Sequence, residues 1–329
     1  MLPVLLLLAS DPCLTATDAC RERVEIGARF VNVYRNYSLK TGAPSVQRAV
    51  IMIHGAGRNA DGYFRTVLAS AAVAGHLPDA ILISPHFKGR EKGRCDDAVE
   101  PGELAWPCDG WKGGEAATNL EAGVKAFAFD VVDRLVETLN DRARFPKLAT
   151  IVIAGHSAGG QYLHRYIAAS RAQSALPVRY VVANPSSYLY LNELRLPYRA
   201  SCKTDGTCSA KFAPWGDREN CTTYNRWRYG LENRTGYAAA VEDQALRDNL
   251  VRRDVTYLVG ELDAQEDSSL DTTCSARAQG PSRRERGLNY WNYIRSQHGA
   301  KHELRVIGGC GHSATCMFAS EAGAKVVFP

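Results

Sequence analysis

The amino-acid sequence predicts an α/β protein: a mostly parallel central sheet covered by helices on both faces. Three observations carry that expectation. From residue 49 onward, short apolar runs alternate with segments of helical period, as repeated β-α units do. The runs are continuously apolar and rich in β-branched residues, which marks strands buried on both faces. The third is length: 329 residues exceed the usual single domain, yet one α/β domain with an insertion fills them.

Taken in order, RAVIMIHG (48–55) reads as a strand that ends in glycine, and ADGYFRTVLASAAVAG (60–75) as a helix closed by Gly75. The strand AILIS (80–84), a long polar loop (85–115) and a helix over 116–140 come next. ATIVIAG (149–155) is a strand, followed by the helix AGGQYLHRYIAAS (158–170), whose Leu163, Tyr166 and Ile167 share one face. After the strand VRYVVAN (178–184) the pattern lapses. Residues 184–235 hold Cys202, Cys208, Cys221, Trp215 and Trp227 without a readable period, and are expected as a disulfide-bearing insertion. Alternation resumes with a helix over 236–251, the strand VTYLVG (255–260), the helix PSRRERGLNYWNYIRSQHG (281–299), the strand ELRVIG (303–308) and a final helix. Pro281 near the start of the penultimate helix and Gly299 past its end follow the usual asymmetry of helix termini.

Composition narrows the partners. With 45% hydrophobic and 23% charged residues, a sizeable core is expected and long disorder is not. The net charge of +5 is spread along the chain; its densest cluster, RRER (283–286), contains a glutamate and reads as a solvated helix face. No nucleic-acid partner is therefore expected. The opening MLPVLLLLAS is too short to span a bilayer and resembles the apolar part of a secretory signal, with Ala16 and Ala19 as small residues for cleavage. The expected division is a signal-like segment at 1–19 and a single catalytic domain at 20–329. No membrane span is expected, and no pattern sets an oligomeric state.

Ten cysteines, an even count, fit disulfides in an oxidising compartment, so a secreted or periplasmic location is expected. Cys95 with Cys108, and Cys310 with Cys316, would close short loops; Cys274 is an alternative partner for Cys310 or Cys316. The sequons at Asn36, Asn220 and Asn233 matter only in a eukaryotic secretory host.

Ligands of such sheets bind at the carboxyl ends of the strands, so chemistry is sought there. Those ends carry HGAGRN, GHSAGG, ELD and GGCGHS, which place Ser157, Asp263 and His312 in the order nucleophile, acid, base. A serine between Gly155 and Gly159, directly after a buried strand, sits on a sharp turn that exposes its hydroxyl. The chain thereby resembles the α/β-hydrolases, with their G-x-S-x-G elbow and the same triad order, over roughly residues 45–329. Within them it looks like secreted serine esterases. The resemblance implies cleavage of small-molecule or polymeric carboxylic esters. Ser157 would be the nucleophile, His312 the base, Asp263 its orienting acid, and the amides of Ala158 and Ala56 (or Gly57) the oxyanion donors.

Each assignment has a competitor. Asp267 is the second candidate for the acid, with Glu261 and Asp271 also nearby. His298 and His302 compete with His312, but they flank a helix end and precede a strand instead of following one. Gly299 between them argues against a metal pair on one helix face. His54 and His156 read as packing or hydrogen-bonding residues. No nucleotide-binding glycine motif occurs, so no cofactor is expected. Trp106, Trp111, Trp215 and Trp227 would either line an aromatic-tolerant cleft or pack the loops onto the sheet. The competing functions are a serine peptidase or amidase with the same triad, and a non-catalytic hydrolase-like binding protein.

Overall fold

A computed structural model describes residues 11–329; the apolar run expected as a signal lies mainly outside the described residues. One eight-stranded sheet runs through it. Its strands are β1 (Arg21–Ile26), β2 (Arg29–Arg35), β3 (Arg48–Ile53), β4 (Ala80–Pro85), β5 (Thr150–His156), β6 (Val178–Ala183), β7 (Asp254–Gly260) and β8 (Glu303–Ile307), in the spatial order β1-β2-β4-β3-β5-β6-β7-β8. β1 and β2 pair antiparallel, as do β2 and β4, and every other neighbour pairs parallel. This is the mostly parallel sheet that the alternation implied, in the arrangement expected from the resemblance to the α/β-hydrolases.

Continuously apolar strands are explained by two cores, one on each face. Along β3, Ala49, Ile51 and Ile53 join one buried cluster, whereas Val50 and Met52 join the other. The first core packs under α2 (Ala128–Leu139) and α3 (Ala158–Ala169), the second under α1 (Ala60–Ala74) and the last two helices. Sheet order reverses beside β3, with β4 on one side and β5 on the other. Such a switch point opens a crevice at the strand ends. Ile53 pairs with Gly155, so the loop after β3 emerges beside Ser157.

Several elements differ from the sequence expectation. The β1–β2 hairpin was not read; its signal is the alternating RERVEI and the Gly27 turn, where φ is +62°. The helix expected over 116–140 begins only at Ala128. Residues before it fold back as a turn: Ala116 bridges to Phe127, Thr118 N donates to Ala105 O at 2.7 Å, and the Asn119 side chain bonds Ala105 N and Glu103 O. Asparagine offers the backbone that alternative to a helix. Asp130 then starts the helix, accepting the Phe127 amide at 2.7 Å. The helix expected from 236 opens as a 3-10 turn, Gly236–Ala240, and α4 begins at Asp243 (Asp243–Arg252). α5 (Arg283–His298) is capped by Ser282, its Oγ accepting the Glu285 amide, and closed by left-handed Gly299. The final helix is two, α6 (Ala314–Ala319) and α7 (Glu321–Val327), separated by Ser320, whose hydroxyl caps the second.

All ten cysteines are paired. Cys95–Cys108 and Cys310–Cys316 close the short loops expected of them, and Cys202–Cys208 staples the insertion. Cys274 pairs with Cys221, not with Cys310 or Cys316. Cys13 pairs with Cys20, which is buried, and Cys13 N donates to Asn36 O. A boundary after residue 19 would fall inside that disulfide loop; Cys20 belongs to the second core, and Cys13 and Ala16 pack against it. Among the described residues, no helix is long and apolar enough to cross a membrane.

Candidate active site

Ser157 occupies a turn that few residues adopt. Its φ is +58° and its ψ −121°, between the end of β5 and the first residue of α3. Strain of that kind in a non-glycine residue persists only where the surroundings hold it. Here the Ser157 amide donates to Ala183 O at 3.0 Å, and the flanking glycines let backbone cross backbone. A Cβ on Gly155 would lie 2.3 Å from Gly159 O, and one on Gly159 would lie 2.4 Å from Ile53 O. Only hydrogen fits at either position.

Two loops bring the partners. After β8 the chain turns through Gly309 (φ +69°), and His312 stands between disulfide-linked Cys310 and Cys316. Its Nε2 lies 2.9 Å from Ser157 Oγ, and its Nδ1 lies 2.8 Å from Asp263 Oδ2. Asp263, in the loop after β7, is buried, while His312 is partly accessible. Buried Asn184 ties the two loops together. Its Oδ1 accepts the Gly260 amide at 2.8 Å and its Nδ2 donates to Gly311 O at 3.3 Å.

The competing carboxylates go elsewhere. Glu261 accepts the Gly309 amide, and Asp271 accepts from Tyr229 and Thr273. Asp267 faces Arg283 at 2.8 and 3.1 Å, and this guanidinium with the Ser269 hydroxyl holds its carboxyl far below the usual carboxylate range.

Arg283 overturns the reading of RRER as a solvated face. Arg283 and Arg286 are buried, because three-residue spacing turns both to the inner side of α5. Arg283 Nη1 also reaches Asp263 Oδ1 at 3.3 Å, and its Nε reaches Ser186 Oγ at 3.2 Å. Arg286 donates to the carbonyls of Gly280, Ser186 and Asp271. Only Arg284 and Glu285 lie toward solvent. Arg283 escaped the sequence reading; its only signal was an arginine at the start of the helix that follows the acid loop.

Ala158 and Ala56 both border the space in front of Ser157. The Ala158 amide is among the first four of α3, which a helix leaves without an internal acceptor. The loop carrying Ala56 is anchored by Arg58, at φ +50°, which forks onto Asp97 at 2.5 and 3.0 Å and donates to Ala56 O. Gly57 lines the adjoining space on the His312 side of Ser157.

The remaining histidines are packed, as expected of His54 and His156. His54 accepts the Phe87 amide, and burial pushes it down to about 3. His156 bonds Tyr63 and lies against the His312 ring, centroids 4.6 Å apart; burial above all pushes it well below the usual histidine range. His298 and His302 bond Tyr293 and Tyr257, and no cluster of metal ligands occurs among the described residues. Trp106 and Trp111 are core residues, Trp227 donates to Gly113 O, and Trp215 packs on Tyr224. None of the four lines the space at Ser157, so the aromatic-cleft expectation gives way to loop packing.

Two cavities meet at Ser157, of about 400 Å³ on the His312 side and about 260 Å³ on the Ala158 side. Chemically the arrangement offers a hydroxyl within reach of an imidazole, a buried carboxylate fixing that ring, and Ala56 and Ala158 bordering the same opening.

Residues 50–327 match the model of the alpha/beta hydrolase family. Among solved structures, the chain is similar to poly(aspartic acid) hydrolase-1 from Sphingomonas sp. KT-1, with a TM-score of 0.62 and 21% identity over 94% of this chain and 98% of that one. It is also similar to a poly(3-hydroxybutyrate) depolymerase from Bordetella parapertussis, with a TM-score of 0.55 and 21% identity over 88% of this chain and 80% of that one. No curated protein matches the chain.

Proposed function

Because the chain belongs to the alpha/beta hydrolase family, we propose that it is an exported serine hydrolase that cleaves carboxylic esters through an acyl-enzyme. The relay from Asp263 to His312 to Ser157, at 2.8 and 2.9 Å, is the observation that carries this reading. His312 Nε2 takes the Ser157 proton as Oγ attacks the ester carbonyl carbon, and the oxygen becomes an anion. The amides of Ala158 and Ala56 face that oxygen; one such donor is worth about 2.7–4 kcal/mol in the barrier. The imidazolium then gives its proton to the departing alcohol. Water, activated by the same nitrogen, releases the acid and frees Ser157. Asp263 keeps the Nδ1–H tautomer and stabilises the imidazolium without itself taking the proton.

The names of the two similar structures, a hydrolase and a depolymerase, agree with a hydrolytic reading. Five disulfides support export to an oxidising compartment. The test is hydrolysis of a short-chain nitrophenyl ester by the full chain and by Ser157→Ala. Loss of about 10⁶ in kcat is expected, the order lost when the nucleophile of a serine-protease triad is removed. Retention of more than about a thousandth of the activity excludes Ser157 as nucleophile. Faster cleavage of an aminoacyl nitroanilide would favour the peptidase alternative. Failure of Ser157 to react with a fluorophosphonate would favour a binding protein.

A further inference from the structure

The two cavities that meet at Ser157 differ in kind. The His312-side cavity is lined by small or uncharged residues such as Gly55, Gly57, Asn59, Thr66 and Thr315. The Ala158-side cavity presents Lys112, Arg165 and Arg228 together with Asp109 and Asp271. In the proposed reaction His312 protonates the departing alcohol, so the alcohol leaves on its side and the acyl chain occupies the charged cavity.

Charge is not balanced there. Asp109 is engaged by Lys112 and by Arg94, each at 2.6 Å, and Asp271 by the hydroxyls of Tyr229 and Thr273. Arg165 is buried yet donates only to neutral acceptors: the carbonyls of Arg228 and Lys112, Gln161 Oε1 and Ser187 Oγ. Arg228 donates to the Asp109 carbonyl. Among the described residues, neither guanidinium pairs with a carboxylate. Buried charges in proteins are ordinarily paired, and a guanidinium fork matches the two oxygens of a carboxylate. Burial and the Arg228 charge lower Arg165 to about 9, which still leaves it protonated at neutral pH. Gly113 makes room for Arg228, since a Cβ there would lie 2.3 Å from Arg228 Cδ.

We infer that this cavity takes an acyl chain bearing a carboxylate, received by Arg228 and Arg165 with Lys112 beside them, so that the preferred substrates are half-esters of dicarboxylic acids. The inference rests on the serine ester hydrolase reading above. A volume of about 260 Å³ suits a short chain.

The experiment uses the full chain and follows acid release in a pH-stat. Monomethyl esters of dicarboxylic acids of four to eight carbons are compared with the matching dimethyl esters, and with 6-acetoxyhexanoate, whose carboxylate lies on the alcohol. The best half-ester is expected to exceed its diester by at least tenfold in kcat/KM, chiefly through KM, with the advantage shrinking as salt rises. Arg228→Gln should bring that ratio close to one, and Arg228→Lys should restore part of it. Should Arg228→Gln not fold, free dicarboxylates must inhibit the native protein competitively and better than the corresponding monocarboxylates. Equal or better turnover of diesters, preference for 6-acetoxyhexanoate, or a preference that survives Arg228→Gln overturns the inference while leaving the hydrolase reading intact. If no ester is cleaved and a fluorophosphonate leaves Ser157 unlabelled, the hydrolase reading itself falls.

Discussion

Two carboxylates four residues apart, Asp263 and Asp267, share one arginine, and only one of them touches His312. Their substitutions should therefore separate. Asp263→Asn leaves the His312 ring without an anionic partner and is expected to lower kcat by about 10⁴, the loss that follows when the acid of a serine-protease triad becomes an amide. Asp267→Asn removes one of several Arg283 partners, since Ser269 and Ser186 remain, and should keep kcat within about tenfold. Steady-state kinetics of the two variants on one ester checks this; a larger loss in Asp267→Asn would reverse the assignment. Arg283→Met is different again. It leaves buried Asp263 facing only His312, and breaking a buried pair on one side costs about 3–5 kcal/mol. A fall in melting temperature of several degrees should accompany its loss of kcat, measured by calorimetry alongside turnover.

Among the elements, the loop from Gly308 to Ser313 holds the proposed base with a covalent staple, while the sheet stands on burial. Cys310–Cys316 closes across His312, and Asn184 Nδ2 grips Gly311 O from the neighbouring strand end. Reduction should free the backbone of His312 while the apolar side chains of β3 and β5 stay buried, although Cys310 belongs to the second core and Cys316 packs on it. Small displacements of a catalytic group can cost about a hundredfold in rate. Esterase activity is thus expected to fall before far-UV circular dichroism does as reductant is added. The Cys310→Ser/Cys316→Ser double variant should reproduce the effect with the other four disulfides in place. Simultaneous loss of both signals would mean that the staple holds the fold and not the site.

At the scale of the whole molecule, burial of neutral histidines sets an acid limit on stability. Burial pushes His54 down to about 3, and His86 and His302 to about 4. His156 and His164 are also driven well below their ordinary value by burial. Each is lower in the folded state than in the unfolded chain, where histidine titrates near ~6.5. Below that pH the unfolded chain gains protons that the folded chain refuses. Their contribution is present in full above about pH 6.5 and is lost progressively as pH falls toward about 4 to 3. Urea midpoints measured between pH 7 and 4 should decline steadily across that window, before most carboxylates titrate. A flat profile down to pH 4.5 would show that these rings open to solvent.

From β3 to β8 the order of the main strands and helices, the two-sided burial of the strands, and the placing of Ser157, Asp263 and His312 at strand ends were legible in the sequence, whereas the β1–β2 hairpin was not. Each depends on local periodicity, on glycine, or on the rule that a parallel sheet delivers its strand ends to one edge. Asp263 was separable from Asp267 only as the aspartate of ELD, nearer the strand end, with Glu261 nearer still. What faces what was not legible. The pairings that make the site join residues 49 and 155 positions apart, and the charged cavity beside Ala158 draws Lys112, Arg165 and Arg228 from three separate segments. RRER read as a surface cluster because charge alone does not say which side of a helix finds acceptors; Asp263, Asp267 and the carbonyls beneath α5 decided that. Local chemistry determined which residues could act. Only chain crossing, which brings distant backbone within hydrogen-bond reach, decided their partners and gave the pocket its charge.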